Sequence, residues 1–335
     1  MTIETPSLPW PIGIRLFNRP DYAKRLLESL ASQTFNIDGG LVFCFIDGFN
    51  GSKAQKSNEP DHTKEVAQLV RQFFPNATIV QSPTNVGLAH ALFELQSLVF
   101  TSTEAQWGLF FEDDLVLDSM YLEQLCHLIE ISAPFSQIAK LGVFQLRTGY
   151  IKHPPKSDRK DIFLGEGTKA FAERHSYFLK RQVLTEVYLD ALAGKQYSER
   201  DHVKIYSEMA MHGVFAFTTY NDAIQDRILA HFNELHVVTS KNFATDIGVS
   251  GENNLRHPSV KLNFSSPEAL LRYTSSDIAD LLPEFELERT QLERALFNDF
   301  YKQFMAVSRG RYALQFVVTR GFEKLQAIAR QLFRK

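Results

Sequence analysis

The densest chemistry in the sequence is Glu112-Asp113-Asp114, which follows directly on the apolar run Trp107-Gly108-Leu109-Phe110-Phe111. An apolar run that ends in acids reads as a buried strand delivering carboxylates to its C-terminal edge, where open α/β sheets bind ligands. Three adjacent carboxylates repel one another and raise each other's pKa unless a cation offsets them. Hard cations such as Mg²⁺ and Mn²⁺ take oxygen ligands, often only one or two from protein, and complete their shell with phosphate and water. The cluster therefore predicts a metal-bound phosphorylated substrate. Acids at a helix start are the plainer reading. Here Asp118 and Ser119 already stand as N-caps before the helical run Met120, Leu122, Leu125, Leu128 and Ile129, so capping does not account for the three carboxylates.

The elements that must position this cluster are legible upstream. Residues 12–17 read as a strand, stopped by Asn18-Arg19-Pro20 and followed by a helix marked by Tyr22, Leu26, Leu27 and Leu30. A strand at 41–46, a helix at 61–74, a strand at 77–81 and a helix at 88–100 continue the alternation. Strands and helices alternating in this way imply right-handed crossovers and a mainly parallel sheet. Asn18-Arg19, Asp47-Gly48 and Asn85-Val86-Gly87 lie at the strand ends, suited to a nucleotide. Each alone also reads as an ordinary turn; together with the acidic cluster they favour a single crevice. No G-x-G-x-x-G follows the first strand, and neither a P-loop nor a G-x-S-x-G elbow occurs. That leaves a nucleotide held by side chains and a metal.

With 335 residues, 44% of them hydrophobic and 22% charged, the chain can build one large domain with an appendage, or two domains, around a sizeable core. A net charge of -3 gives no global attraction to nucleic acid, which is not expected as a partner. Cys44 and Cys126 lack metal-type spacing and read as buried free thiols, which suits a reducing compartment. With no apolar leader and no span-length apolar stretch, the expected location is cytoplasmic.

Beyond the acids the pattern weakens. Residues 138–146 read as a strand entering an acceptor half, and 152–160 as a surface loop. Gly165-Glu166-Gly167 and Ala172-Glu173-Arg174-His175 precede a helix over 176–192, and Ser198 to His202 introduce another. Residues 246–252 form a Gly-rich loop, and from Ser266 the pattern is helical. Over 312–335, Leu314, Val317, Val318, Phe322, Leu325, Ile328, Ala329 and Leu332 share one side, with Arg320, Lys324, Arg330 and Arg334 largely on the other. Eight Lys or Arg against the single acid Glu323 between Tyr301 and Lys335 make this a basic amphipathic helix. Such a helix suits packing on the catalytic domain or on a second copy in a homo-oligomer, or an anionic membrane surface on the inner face of the membrane.

Four pieces in order, Phe17-Asn18-Arg19-Pro20, Phe45-Ile46-Asp47-Gly48, Thr84-Asn85-Val86-Gly87-Leu88-Ala89 and Phe111-Glu112-Asp113-Asp114-Leu115, resemble a glycosyltransferase of the GT-A fold. The nearest likeness is to bacterial polysaccharide glycosyltransferases related to the animal N-acetylglucosaminyltransferases. It covers residues 10–130 well. Asp246-Ile247-Gly248 through His257 is similar to that family's late Asn-Ile-Gly loop, with Thr245-Asp246 in place of the usual asparagine. The resemblance implies a Rossmann-like, mainly parallel sheet over residues 1–264, split into a nucleotide-sugar half (1–130) and an acceptor half (131–264), with a helical appendage over 265–335. It also implies that Asp114 coordinates the metal, that Asp47 hydrogen-bonds the base and Arg19 the nucleotide, that Glu112 and Asp113 meet ribose or the transferred sugar, and that Asn85 and Gly87 shape the pocket floor. Inversion at the transferred sugar is likewise implied only by the resemblance.

Sugar transfer from a nucleotide sugar such as a UDP-sugar requires a neutralised leaving diphosphate, which Mn²⁺ or Mg²⁺ on Asp114 would supply as a Lewis acid. An inverting reaction also needs a carboxylate base for the hydroxyl of a glycan or lipid-linked glycan acceptor. Glu173, Glu166 and Asp201 are the candidates, Glu173 first because it stands just before the helix over 176–192. His257 reads either as a late metal or phosphate ligand or as a surface histidine. The rivals are a sugar-phosphate nucleotidyltransferase, which wants a Gly-rich basic loop that Phe17 to Pro20 does not provide, and a non-catalytic glycan-binding or scaffold protein of the same fold, which would have lost its carboxylates.

Overall fold

The computed structural model describes residues 6–143, 162–165, 169–192, 201–215, 221–239 and 243–248, together with 271, 273–283, 285–287 and 290. The first part runs β1 (Ile12–Leu16), α1 (Pro20–Ala31), β2 (Val42–Ile46), α2 (Lys53–Lys56), α3 (Thr63–Phe73), β3 (Thr78–Gln81), α4 (Leu88–Ser102) and β4 (Trp107–Glu112). There follow β5 (Leu115–Leu117), α5 (Tyr121–Ser132), β6 (Ile138–Gly142), β7 (Ile162–Leu164) and β8 (Ala170–Arg174). The remaining elements are α6 (His175–Leu192), α7 (His202–Met211), α8 (Asn221–His231), β9 (Leu235–Thr239) and β10 (Ala244–Asp246).

Local sequence explains the first half. β2, Val-Phe-Cys-Phe-Ile, is buried at every position, as a strand covered on both faces must be. α1 opens at Pro20, whose fixed φ and missing N–H suit a first helical turn, and it buries Ala23, Leu26, Leu27 and Leu30 on one face. Each such leucine contributes about 1.5–3 kcal/mol of burial. Phe43, Phe45, Leu95, Val99, Phe100, Phe110, Phe171 and Phe178 form an aromatic core between the sheet and α4.

The main sheet has eight strands in the order β3-β2-β1-β4-β8-β6-β9-β7. β3, β2, β1 and β4 are mutually parallel, as the alternation predicted. β8 runs antiparallel to both β4 and β6, and β7 antiparallel to β9. β10 and β5 form a separate antiparallel pair. The fold is therefore a Rossmann-like α/β fold, and its strand order reverses between β1 and β4. Chains leaving adjacent strands on opposite sides of the sheet leave a crevice there, outside the carboxyl ends.

The chain divides into two compact units, one of residues 1–179 and 236–278 and the other of 180–235 and 279–335. In the second, Lys180 pairs with Glu234, and fully buried Arg181 donates to Thr185 Oγ1 at 3.1 Å. The boundary expected at 264–265 and the basic helix over 312–335 lie outside the described residues. Among the described residues no helix is long and apolar enough to cross a membrane.

Candidate active site

Three strand ends and one strand start converge at the β1/β4 crevice. β1 delivers Arg15 and, just beyond it, Arg19; β4 delivers Glu112, Asp113 and Asp114. Arg15 and Glu112 face each other in register across the two strands, and their side chains pair at 2.8 Å, a cross-strand ion pair set by the sheet itself. Arg19 grips Asp113 with two nitrogens, Nε at 3.1 Å and Nη2 on the other oxygen, the fork geometry that fixes a guanidinium in place. Its Nη1 lies 3.5 Å from Asp114 Oδ2, and its guanidinium sits 5.1 Å over the Tyr22 ring.

A residue that the sequence reading did not single out completes the corner. Because β8 runs antiparallel to β4, its first residues lie at the carboxyl end of β4, where Glu112 N–H donates to the carbonyl of Lys169 at 2.9 Å. The Lys169 ammonium lies 2.8 Å from Asp114 Oδ2 and 3.0 Å from Asp246 Oδ2. Asp246 arrives through β10, which pairs with β5 so that Ile247 N–H donates to the Asp114 carbonyl at 2.9 Å. The one sequence signal for this was Thr245-Asp246 in place of the expected asparagine, which brings in an acid. Nothing in the local pattern around Lys169 marked it, because its relevance depends on the direction of β8.

These contacts revise the charge argument. The repulsion expected among Glu112, Asp113 and Asp114 is already met by the chain's own Arg15, Arg19 and Lys169. Burial pushes the Asp114 carboxyl up, but the Lys169 ammonium and the Arg19 guanidinium together bring it below its ordinary value. Burial pushes Asp113 above its ordinary value, against the pull of Arg19 and with the Asp114 charge adding to the rise. A metal still has a place. Asp114 Oδ1 is buried without a hydrogen-bond partner among the described residues, an arrangement that costs free energy unless something takes the oxygen. Hard divalent cations suit such a donor. Among the described residues no three His, Cys, Asp or Glu surround a common point.

The opposite wall is ordered by Asp47. One of its carboxylate oxygens accepts from Gly48 and Val86 N–H, both at 2.8 Å, and the other from Gly87 N–H at 3.0 Å and Asn85 Nδ2 at 3.1 Å. A carboxylate has about four acceptor positions, so Asp47 is spent on holding the Asn85-Val86-Gly87 loop, and the role implied for it at the base is not what this arrangement offers. Asn85 reinforces the same clasp by donating to the Gly48 carbonyl at 3.1 Å. Gly48 has to be glycine, since a Cβ there would lie 2.2 Å from the Thr84 backbone. Gly87 takes φ +80 at the N-cap of α4, a backbone region that favours glycine. Asn18 is engaged elsewhere: its amide donates to the Pro60 carbonyl at 2.8 Å and accepts from His62 N–H, pinning the segment before α3.

Of the carboxylates expected as bases, Glu173 is not brought to this corner. Glu173 is a correction: it lies inside β8, opposite Gly108 at the start of β4 and Lys140 on β6, is fully buried, and accepts from Gln96 Nε2 at 2.5 Å. Four residues of strand separate it from Lys169, about 13 Å along the sheet. A group so enclosed cannot reach an acceptor hydroxyl. Asp201 is the N-cap of α7 in the second unit, accepting from Lys204 N–H at 2.9 Å. Glu166 and His257 lie outside the described residues.

The crevice and its side chains define a class: an open α/β protein with an acid and base cluster at its topological switch point, a usual ligand position. No protein-family model matches the chain, and no curated protein matches it. Solved structures that it resembles include S. aureus TarS 1-349 in complex with UDP-GlcNAc, at 14% identity and TM-score 0.41 over 84% of this chain and 72% of that one. TarS 1-349 alone matches at 16% identity and TM-score 0.39 over 67% and 70%. The mannosyltransferase PcManGT from Pyrobaculum calidifontis, in complex with GDP-Man and Mn2+, matches at 13% identity and TM-score 0.34 over 68% and 72%. At such identities and scores, this chain's own strand order and side chains define its fold and site.

Proposed function

We propose that the protein is a GT-A glycosyltransferase that moves a sugar from a nucleotide sugar, a UDP-sugar, to a glycan or lipid-linked glycan acceptor of a surface polysaccharide, with inversion. The observation that carries the reading is the convergence of Arg19, Asp113 and Asp114 from β1 and β4 at the strand-order reversal, facing the loop that Asp47 clasps. The four ordered sequence pieces that resemble this family fall on those elements.

In this reading the nucleotide lies across the carboxyl ends of β1, β2 and β4. Gly48, with no room for a side chain, lets the Thr84 backbone close in, and Asp47 fixes the Asn85 to Gly87 loop as pocket floor. Arg19 holds Asp113 in a fixed orientation for the ribose or the transferred sugar, and Arg15 does the same for Glu112. Asp114 Oδ1 would hold Mn²⁺ or Mg²⁺, which when bound supplies Lewis-acid neutralisation of the leaving diphosphate. The chain itself brings Arg15, Arg19 and Lys169 to this corner, already oriented by their acids before substrate arrives.

The test is calorimetric titration of UDP, with GDP as control, with and without Mn²⁺, on the wild type and Asp114→Ala. Binding of UDP that the variant loses supports the reading. If neither nucleotide binds under any condition, a non-catalytic protein of this fold is the better account.

A further inference from the structure

Lys169 is held in the site by two single contacts to acids. Its ammonium carries three donors, of which two go to Asp114 Oδ2 and Asp246 Oδ2; the third has no partner among the described residues, and the side chain is 14% exposed. Arg19, by contrast, is clamped on Asp113 by a fork that only a rigid rotation could release. Among the described residues, four carboxylates, Glu112, Asp113, Asp114 and Asp246, share the corner with three cations, Arg15, Arg19 and Lys169, so each of these cations already faces an acid. A divalent cation on Asp114 faces one side of an incoming diphosphate, and positive charge on its other side has to come from a cation of the chain turned towards it. A lysine on a flexible stem, held by two single contacts to acids, can supply that charge with a small movement.

Resting on the nucleotide-sugar reading, we infer that Lys169 is a diphosphate-binding residue. Its ammonium turns from Asp246 to a phosphate oxygen of the leaving group, while any cation on Asp114 Oδ1 neutralises the other side. Asp246 is then the parking partner that holds the ammonium in the ligand-free protein.

The test compares UDP with uridine, which has the same base and ribose but no phosphate, by calorimetry in Mn²⁺ on the wild type, Lys169→Met, Lys169→Arg and Asp246→Asn. Losing one charge-assisted phosphate contact should weaken UDP binding by about ten- to a hundredfold in Lys169→Met. Uridine affinity should be unchanged, and Lys169→Arg should keep most of the UDP affinity. Asp246→Asn, which removes the parking partner, should bind UDP as tightly as the wild type or more tightly, and it serves as the informative variant if Lys169→Met folds poorly. Undiminished UDP binding by Lys169→Met overturns the inference, as does an equal loss of UDP and uridine. A loss of UDP affinity in Asp246→Asn would make Lys169 a tie for β10 instead, which also overturns it. These failures leave the proposed function standing. Absence of UDP and uridine binding in the wild type removes both.

Discussion

Asp47→Asn separates two roles that the same residue could have. If Asp47 served only to hydrogen-bond a nucleotide base, the amide would change affinity and leave folding alone. The structure gives it four N–H donors, two on each oxygen, at 2.8–3.1 Å and nearly complete burial. Asparagine keeps one oxygen and can still serve two of those donors. Its NH₂ then faces the other two, which lose their acceptor and meet a second donor. Orphaning a buried donor costs about 1–3 kcal/mol; three of the four donors are only partly buried, so the substitution should destabilise the protein by about 1–3 kcal/mol. Urea unfolding of the variant and the wild type at neutral pH measures this directly, provided the slope with urea is unchanged so that the midpoint shift reads as stability. UDP affinity should fall as well, because the Asn85 to Gly87 loop loses its clasp. A variant less than about 1 kcal/mol weaker than wild type, below the cost of one orphaned donor, would refute the loop-organising role and return Asp47 to the base.

Glu173→Gln should lower stability by about 1.5–3 kcal/mol, the range for a hydrogen bond to a charged group, with little effect on kcat per folded molecule. A fall of about 10²–10⁴ in kcat, the contribution of a general base, at unchanged stability would reinstate Glu173 as the base. The two thiols should be silent in the native state. Burial pushes Cys44 well above the ordinary thiol range and pushes Cys126 up to about 12. Ellman's reagent at pH 8 should label neither until urea is added, and stoichiometric labelling of the native protein would contradict their burial. The same shift has a sign: above about pH 8.5 the unfolded thiols ionise while the folded ones keep their protons. Native stability should therefore fall as pH rises from there towards 12, and less steeply in Cys126→Ala.

Local sequence determined the first half of the protein almost completely. Alternating apolar strands and amphipathic helices set β1 to β4 and helices α1, α3 and α4 within a residue or two, because β1, β2 and β4 are buried on their own merits and those helices show their faces; the short α2 carries no such pattern. The acids, Arg19 and the Asp47 and Asn85 loops were legible for the same reason: a strand's carboxyl end is a position that sequence alone marks. The second half resisted. β8 reads Ala-Phe-Ala-Glu-Arg, with no clean alternation, so the sequence alone reads it as the approach to a helix and Glu173 as an accessible acid. Only the reversed direction of β8 between β4 and β6 could show that Glu173 is enclosed in the sheet and that Lys169, four residues earlier, stands at the crevice. Likewise, the sequence shows that three carboxylates are adjacent, but not that Arg15, Arg19 and Lys169 neutralise them, since those partners lie 94 to 97 and 55 positions away along the chain. Which charges meet depends on strand order and direction, and both are set by long-range pairing that no local pattern carries.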